Sequence, residues 1–277
     1  MRKLNPNYDF YFTDPSAIGV IYTDSKGKSH RAFVHDEGEV IVSAGAIGSP
    51  QLLLLSGIGP HSILSSLKIP TIYHQPNVGE FMFDNTRNDI RLIVPFPIEL
   101  SPVQVVGITS DYYIQAISFT TNQSFGTIAA KIPGPFSSGS LWLTAPANVK
   151  ANPRVQFNYF ADPRDRSRCV RATRRLGRML KTRAMDRFKY KSYNGSTGFV
   201  FNGISLPMNQ ANDSIIEAFC RSTVTTIYHF HGGCLVGKVV DGDFRVLGSK
   251  GLRVVDASTF ALTPGTNPQA TIMMLGR

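Results

Sequence analysis

A chain of 277 residues can bury roughly three quarters of its unfolded surface and fill one large or two modest domains. Hydrophobic residues at 42% and charged residues at 17% describe a globular protein and exclude disorder. No apolar run approaches the roughly 18 residues that a membrane span needs, and the opening Met1-Arg2-Lys3-Leu4-Asn5-Pro6 lacks the apolar core of a signal peptide.

The first elements follow from period and punctuation. Residues 17–22, a turn over Asp24-Ser25-Lys26-Gly27-Lys28 and residues 30–34 read as a β-hairpin. Residues 40–43 then form a short, continuous apolar strand of the kind buried in a parallel sheet. It ends in Ala44-Gly45-Ala46-Ile47-Gly48-Ser49-Pro50, and a helix is expected from Gln51 to Leu55 with Pro50 near its first turn. Strand, small-residue turn and helix N-terminus together favour close approach by the phosphates or ribose of a cofactor. On these residues alone, an ordinary helix-packing turn explains Gly-Ala-Ile-Gly better.

Further along, residues 61–70 read as a short helix, and from Arg91 to Val106 the pattern becomes Pro-rich and extended. Residues 139–143 and 154–159 read as strands, and Asp162-Pro163 caps a helix crowded with Arg164, Arg166, Arg168, Arg171, Arg174, Arg175 and Arg178. That crowding supplies much of the net charge of +10. Val170, Leu176, Met179 and Leu180 form an apolar stripe between the arginines, so the charge is expected to decorate a solvated face, and no nucleic-acid motif accompanies it.

The closing region concentrates chemistry. Tyr228-His229-Phe230-His231-Gly232-Gly233-Cys234 sets imidazoles, which titrate near neutral pH, beside glycines that let backbone approach a large flat ligand. Such a histidine can serve as a general base. Taken alone, it is more often a satisfied residue in a buried turn.

Read in order, these stretches resemble the glucose-methanol-choline (GMC) family of FAD-dependent alcohol oxidoreductases. His229 stands five positions before Cys234, Gly251-Leu252-Arg253-Val254-Val255-Asp256-Ala257-Ser258 matches the family's G-L-R-V-x-D-[GA]-S strand, and Asn267-Pro268 matches its His or Asn followed by Pro. The stretch from Gly45 to Gly59 is similar to the family's second signature. Val78-Gly79-Glu80-Phe81-Met82-Phe83-Asp84-Asn85 resembles V-G-x-N-L-x-D-H, departing at Phe81 and Asn85 as the plant branch does.

The resemblance implies an α/β fold with an α+β substrate domain: a partial FAD-binding domain over 1–86, an interwoven antiparallel-sheet substrate domain over 87–225, and a returning FAD-binding and catalytic segment over 226–277. Family members hold the pyrophosphate of FAD on a Gly-x-Gly-x-x-Gly turn. This sequence has no such turn, so the resemblance covers the C-terminal half only, and a fragment, a mispredicted gene product or a decayed paralogue is expected, with a missing N-terminal half as a partner and weak retention of FAD by the chain alone.

Site roles carry over residue by residue. His229 is expected to take the hydroxyl proton of a small-molecule alcohol, with His231 as the alternative base, and Asn267 to hydrogen-bond the forming alkoxide. Asp256, Ala257, Pro268 and Gln269 are expected to line the flavin, with Tyr228 packed near the ring. No metal ligands are implied. Plant members also keep cysteines at places comparable to Cys169 and Cys220, which implies a disulfide. Asn122, Asn194 and Asn212 open N-x-S/T sequons, which lean toward the secretory pathway.

Within the plant branch, mandelonitrile lyases pair the motif histidine with a second histidine where this chain has Asn267. They also place a cysteine near the segment that here reads Ser110-Asp111-Tyr112-Tyr113-Ile114-Gln115-Ala116. Asparagine cannot accept a proton at neutral pH, which ranks a hothead-like alcohol oxidoreductase above a hydroxynitrile lyase. A non-catalytic, cofactor-free paralogue is the third reading.

Overall fold

In a computed structural model describing residues 10–12, 15–118, 124–146, 148–192, 194–264 and 267–277, the chain opens on an antiparallel meander. Strands β1 (Phe10–Phe12), β2 (Ala17–Thr23) and β3 (Ser29–Phe33) pair in that order. The expected hairpin is present, in register from Gly19↔Phe33 to Thr23↔Ser29. Asp24 builds its turn by accepting from the amides of Lys26 and Lys28, each at 2.9 Å, while Gly27 supplies a φ of +82°.

Strand β4 (Val40–Val42) runs into helix α1 (Gly45–Leu55). The helix starts well before Gln51, and Pro50 lies inside it. A proline there withholds one intrahelical N–H. The helix start is tied back onto its own second turn, with Ala44 N–H donating to Ser49 Oγ at 3.0 Å. At the far end Gly57, at φ +82°, takes the left-handed position, where a Cβ would stand 2.4 Å from Pro70 O. Strand β5 (Ile58–Gly59), helix α2 (His61–Ser66) and strand β6 (Tyr73–His74) follow, with β5 and β6 parallel.

The long strand β7 (Glu80–Ile93) is next, followed by β8 (Ser101–Ile108), β9 (Tyr113–Ser118) and β10 (Phe125–Ile132). These pair antiparallel in the order β7, β10, β9, β8. Strands β11 (Gly139–Trp142) and β12 (Arg154–Gln156) extend the sheet on the other side, through Gly139↔Met82 and Ser140↔Glu80.

Helix α3 (Pro163–Leu180) is the arginine-rich one. Asp162 caps it, accepting from Arg164 N at 2.8 Å. Val170, Leu176 and Leu180 are buried as the stripe required. Arg168 is the exception among its arginines, because it too is buried. Its guanidinium is satisfied by the carbonyls of Asp111, Pro133 and Gly134 and by Asp165.

Short strands β13 (Tyr190–Lys191), β14 (Thr197–Gly198) and β15 (Val200–Phe201) lead to helix α4 (Asp213–Thr223), capped by Asn212. Cys169 on α3 and Cys220 on α4 form a disulfide with a Cα separation of 6.3 Å. The chain closes with β16 (Thr225–His231), β17 (Leu252–Val254) and helix α5 (Gln269–Leu275). Strand β17 lies parallel to β4, from Leu252↔Val40 to Val254↔Val42.

These elements sort into two compact units. One holds the residues up to Asp84, Ser138–Asn158 and everything from His229 on, around a core that includes Leu53, Ile58, Met82, Val240 and Leu252. The other holds Asn85–Ser137 and Tyr159–Tyr228, around Ile90, Leu92, Ala172, Leu176 and Phe219.

Candidate active site

The carboxyl ends of β4 and β17, parallel neighbours, bring two distant segments together. Val255 N–H donates to Val42 O at 2.9 Å and Ser43 Oγ to Val255 O at 3.0 Å. The next residue along, Asp256, turns its carboxylate under the start of α1. Its Oδ2 accepts from Gly45 N–H at 2.9 Å and from the Ser49 hydroxyl, and its Oδ1 accepts from Ser258 N–H at 2.7 Å. Ala44, the residue ahead of α1, has no side chain that could cap the helix, so Asp256 does it from across the sequence, with its negative charge at the positive end of the helix dipole.

A third segment joins through the backbone. Gly232 N–H donates to Ala257 O at 3.2 Å, Cys234 N–H to Ser258 O at 2.9 Å and Val236 N–H to Thr259 O at 3.2 Å. The glycines here serve the chain's own packing. A Cβ on Gly232 would stand 1.9 Å from Phe81 O, and one on Gly233 would stand 2.8 Å from Met82 Sδ. Cys234 is fully buried and its thiol pKa is pushed up by desolvation, so it packs as a small hydrophobe.

The two histidines of β16 differ sharply. His231 is fully buried and its ring stacks on Phe83 with centroids 5.2 Å apart. Its Nδ1 lies 3.0 Å from His229 O. A carbonyl only accepts, so Nδ1 carries the proton, and Nε2 keeps a lone pair with no partner among the described residues. Burial pulls the pKa of His231 down to about 4. His229 is half-buried on the same strand. Tyr228, just before it, holds a left-handed backbone at φ +60° with its side chain 77% exposed.

Asn267 and Gln269 are exposed at the start of α5 and Pro268 is buried there. Among the described residues the Asn267 side chain makes no hydrogen bond, and Gly265 and Thr266, expected to turn it back toward His229, lie outside the described residues. The hydrogen bonds join the segments of Gly45, Asp256, Ala257 and Gly232, and Asn267 stands just ahead of α5.

FAD, which the family resemblance implies, can be tested against these residues. Ser43 and Ala44 are exposed, and a Cβ on Gly45, at φ +79°, would meet nothing within 4 Å. This open shelf of small residues lies at the carboxyl ends of parallel strands, where α/β sheets bind ligands, and it fits one flank of an extended cofactor. The Gly45 amide is already taken by Asp256, so it is not free for a phosphate. The carboxylate of Asp256 is likewise committed inside the chain.

A second polar cluster escaped the sequence reading. Lys131 of β10 is buried opposite Tyr113 of β9 and Arg87 of β7, donates to the Gln115 side chain and sits 5.5 Å from the Tyr113 ring centroid. Desolvation, reinforced by Arg87, lowers its pKa to about 8, and burial raises that of Tyr113 to about 12. The signal was a lysine inside the apolar run Ile128-Ala129-Ala130-Lys131-Ile132.

Residues 10–86 and 135–276 match the N- and C-terminal sequence profiles of the GMC oxidoreductases. The chain belongs to the GMC oxidoreductase family. It is 49% identical to (R)-mandelonitrile lyase 1 of Prunus serotina over 95% of its own length and 50% of that protein. It is 45% identical to sinalpyl alcohol oxidase Nec3 of Nesocodon mauritianus, over 95% of its length and 50% of that protein. The chain thus spans about half the length of these relatives. Its fold also matches a structure of the formate oxidase of Aspergillus oryzae, a variant bearing on FAD modification in that enzyme, with a TM-score of 0.83 and 19% identity over 97% of this chain and 57% of that one.

Proposed function

We propose that this chain carries the catalytic segment of an FAD-dependent alcohol oxidoreductase, with His229 as the base. The observation that carries this reading is the unequal burial of two imidazoles on one strand. His231 is sealed and neutral, and its Nδ1–H fixes the carbonyl of His229. His229 keeps access, so of the two it is the one that can reach a substrate hydroxyl.

In this mechanism His229 takes the hydroxyl proton as the alcohol becomes a carbonyl compound, a role worth about 10²–10⁴-fold in rate. Asn267 offers two N–H donors and no basic lone pair, so it stabilises the forming alkoxide rather than competing for the proton. Bound FAD supplies the acceptor for the hydride that leaves the carbinol carbon. Ser43, Ala44 and Gly45 would offer it a shelf, with the backbone at Ala257 close to α1, and Pro268 and Gln269 would supply further contacts.

Hydroxynitrile cleavage is the second reading, favoured by the 49% identity to a mandelonitrile lyase. Asn267 counts against it, because cyanohydrin cleavage calls for a second proton-handling group near the hydroxyl. Supplying the purified chain with FAD separates the two. Bleaching of the flavin by an aryl alcohol without oxygen supports the oxidoreductase, release of cyanide from mandelonitrile supports the lyase, and neither, with no flavin retained, supports a cofactor-free protein.

The covalent chemistry bears on the compartment as well. The Cys169–Cys220 disulfide forms and persists in oxidising surroundings, and the sequon residues Asn194 and Asn212 are exposed. Both support passage through the secretory pathway. Asn122 lies outside the described residues.

A further inference from the structure

Arg168, Arg171, Arg175, Arg178 and Thr182 recur at the three- and four-residue spacing that puts side chains on one edge of a helix. The first two are engaged by the loop between β8 and β9. Arg168 Nε donates to Asp111 O at 2.9 Å and Arg171 pairs with the Asp111 carboxylate at 2.7 Å. Elsewhere on α3, Arg164, Arg166 and Arg174 pair with Asp162, Glu217 and Asp213. The guanidiniums of Arg175 and Arg178 have no hydrogen-bond or ion-pair partner among the described residues.

What these two arginines face is an apolar hollow of about 450 Å³ between the end of α3 and the β8–β9 edge, walled by Val105, Ile108, Tyr112, Ile114 and Met179. A second hollow of about 540 Å³ adjoins it, lined by Leu92, Val94, Phe96, Ile98 and Phe188, with Glu99, Gln104 and Arg187 also on its wall. The two share Val105, Ala116, Ile128 and Met179. Strand register explains the opening: Val105 pairs with Ala116 and Ala116 with Ile128, so one row of side chains crosses the sheet. Helix α3 covers the β10 end of that row and leaves the β8 end bare, with Val105 66% exposed. Each hollow lies within the range of about 300–1,000 Å³ typical of small-molecule sites. No residue assigned above to catalysis lines either one.

We propose that this cleft binds an elongated apolar molecule ending in a carboxylate. The head sits between Arg175 and Arg178, as the Asp111 carboxylate sits on Arg171, and the tail crosses the Val105 row into the second hollow. Arg187, at the other end, lies over the Phe96 and Phe188 rings beside Glu99, so Arg175 and Arg178 are the cations left to select a charged end of the ligand, and the guanidinium fork matches a carboxylate.

The test is calorimetric titration of the 277-residue chain with dodecanoate and with dodecanol, repeated on the Arg175→Gln/Arg178→Gln double variant and on Val105→Glu. All three positions are at the surface, and circular dichroism checks that the variants fold. The proposal expects saturable one-to-one binding of dodecanoate, weakened at least about tenfold by loss of the two guanidiniums and abolished by Val105→Glu. Dodecanol should bind more weakly than dodecanoate, and equally to the parent and the arginine variant. Absence of saturable dodecanoate binding, or binding indifferent to the arginines, overturns it. So does a dimer in sedimentation velocity that Val105→Glu dissolves, since the face would then belong to a second copy of the chain.

Discussion

The carboxylate of Asp256 accepts a hydrogen bond from the backbone N–H of Gly45 at 2.9 Å, across 211 positions of sequence. Together with the bonds from the Ser49 hydroxyl and Ser258 N–H, it locks the start of α1 onto the end of β17. Asp256→Ala leaves several buried donors unpaired, at about 1–3 kcal/mol each. The variant is expected to lose about 3 kcal/mol or more and to melt at least about 6 °C lower, by thermal denaturation followed in the far ultraviolet. Parent-like melting would show that this carboxylate is not what holds the two segments together.

Two glycines at positive φ separate packing from backbone strain. Gly232→Ala drives a Cβ to 1.9 Å from Phe81 O, whereas Gly45→Ala, at a similar φ, meets open space. The second change is expected to cost about 1 kcal/mol, from backbone conformation alone, and the first several times that. Urea unfolding of both variants checks the order, and equal losses would contradict it.

The disulfide offers a separate handle. Its partners are 51 residues apart, and a bridge closing such a loop stabilises by about 4 kcal/mol in the chain-entropy model. Cys169→Ser/Cys220→Ser is expected to lose about that much in urea. Reductant should lower the midpoint of the parent and leave the variant unmoved.

Acid should act through His231. Its folded pKa of about 4 lies below its ordinary value of 6.5, so the unfolded chain binds the extra proton first. The stability from keeping this ring neutral is present above pH 6.5 and is lost as pH falls toward 4, by about 3 kcal/mol in total. In His231→Phe, the difference in unfolding free energy between pH 7 and pH 4 should shrink by about that amount. An unchanged difference would place the acid sensitivity elsewhere.

Much of this was legible in the sequence, and the exceptions share a cause. The hairpin at Asp24, the Asp162 cap and the Val170-Leu176-Leu180 stripe are local patterns, and they stand as read. The start of α1 was misplaced because its cap comes from Asp256, which no local rule reaches. Glycines 232 and 233 looked like room for a ligand, yet the residues that need the space are Phe81 and Met82 of β7. The burial of Arg168 was equally hidden, since its acceptors are carbonyls of Asp111, Pro133 and Gly134. His229 and His231 are chemically identical in the sequence, and only the stacking on Phe83 and the bond to the His229 carbonyl tell them apart.

Anaerobic reduction of the bound flavin by an aryl alcohol, comparing an FAD-loaded protein in which a relative's N-terminal half is joined to this chain with its His229→Ala variant, tests the account most directly. It predicts that reduction slows at least about a hundredfold while FAD stays bound and His231→Phe retains far more of the rate. Undiminished reduction in His229→Ala would contradict the assignment of the base.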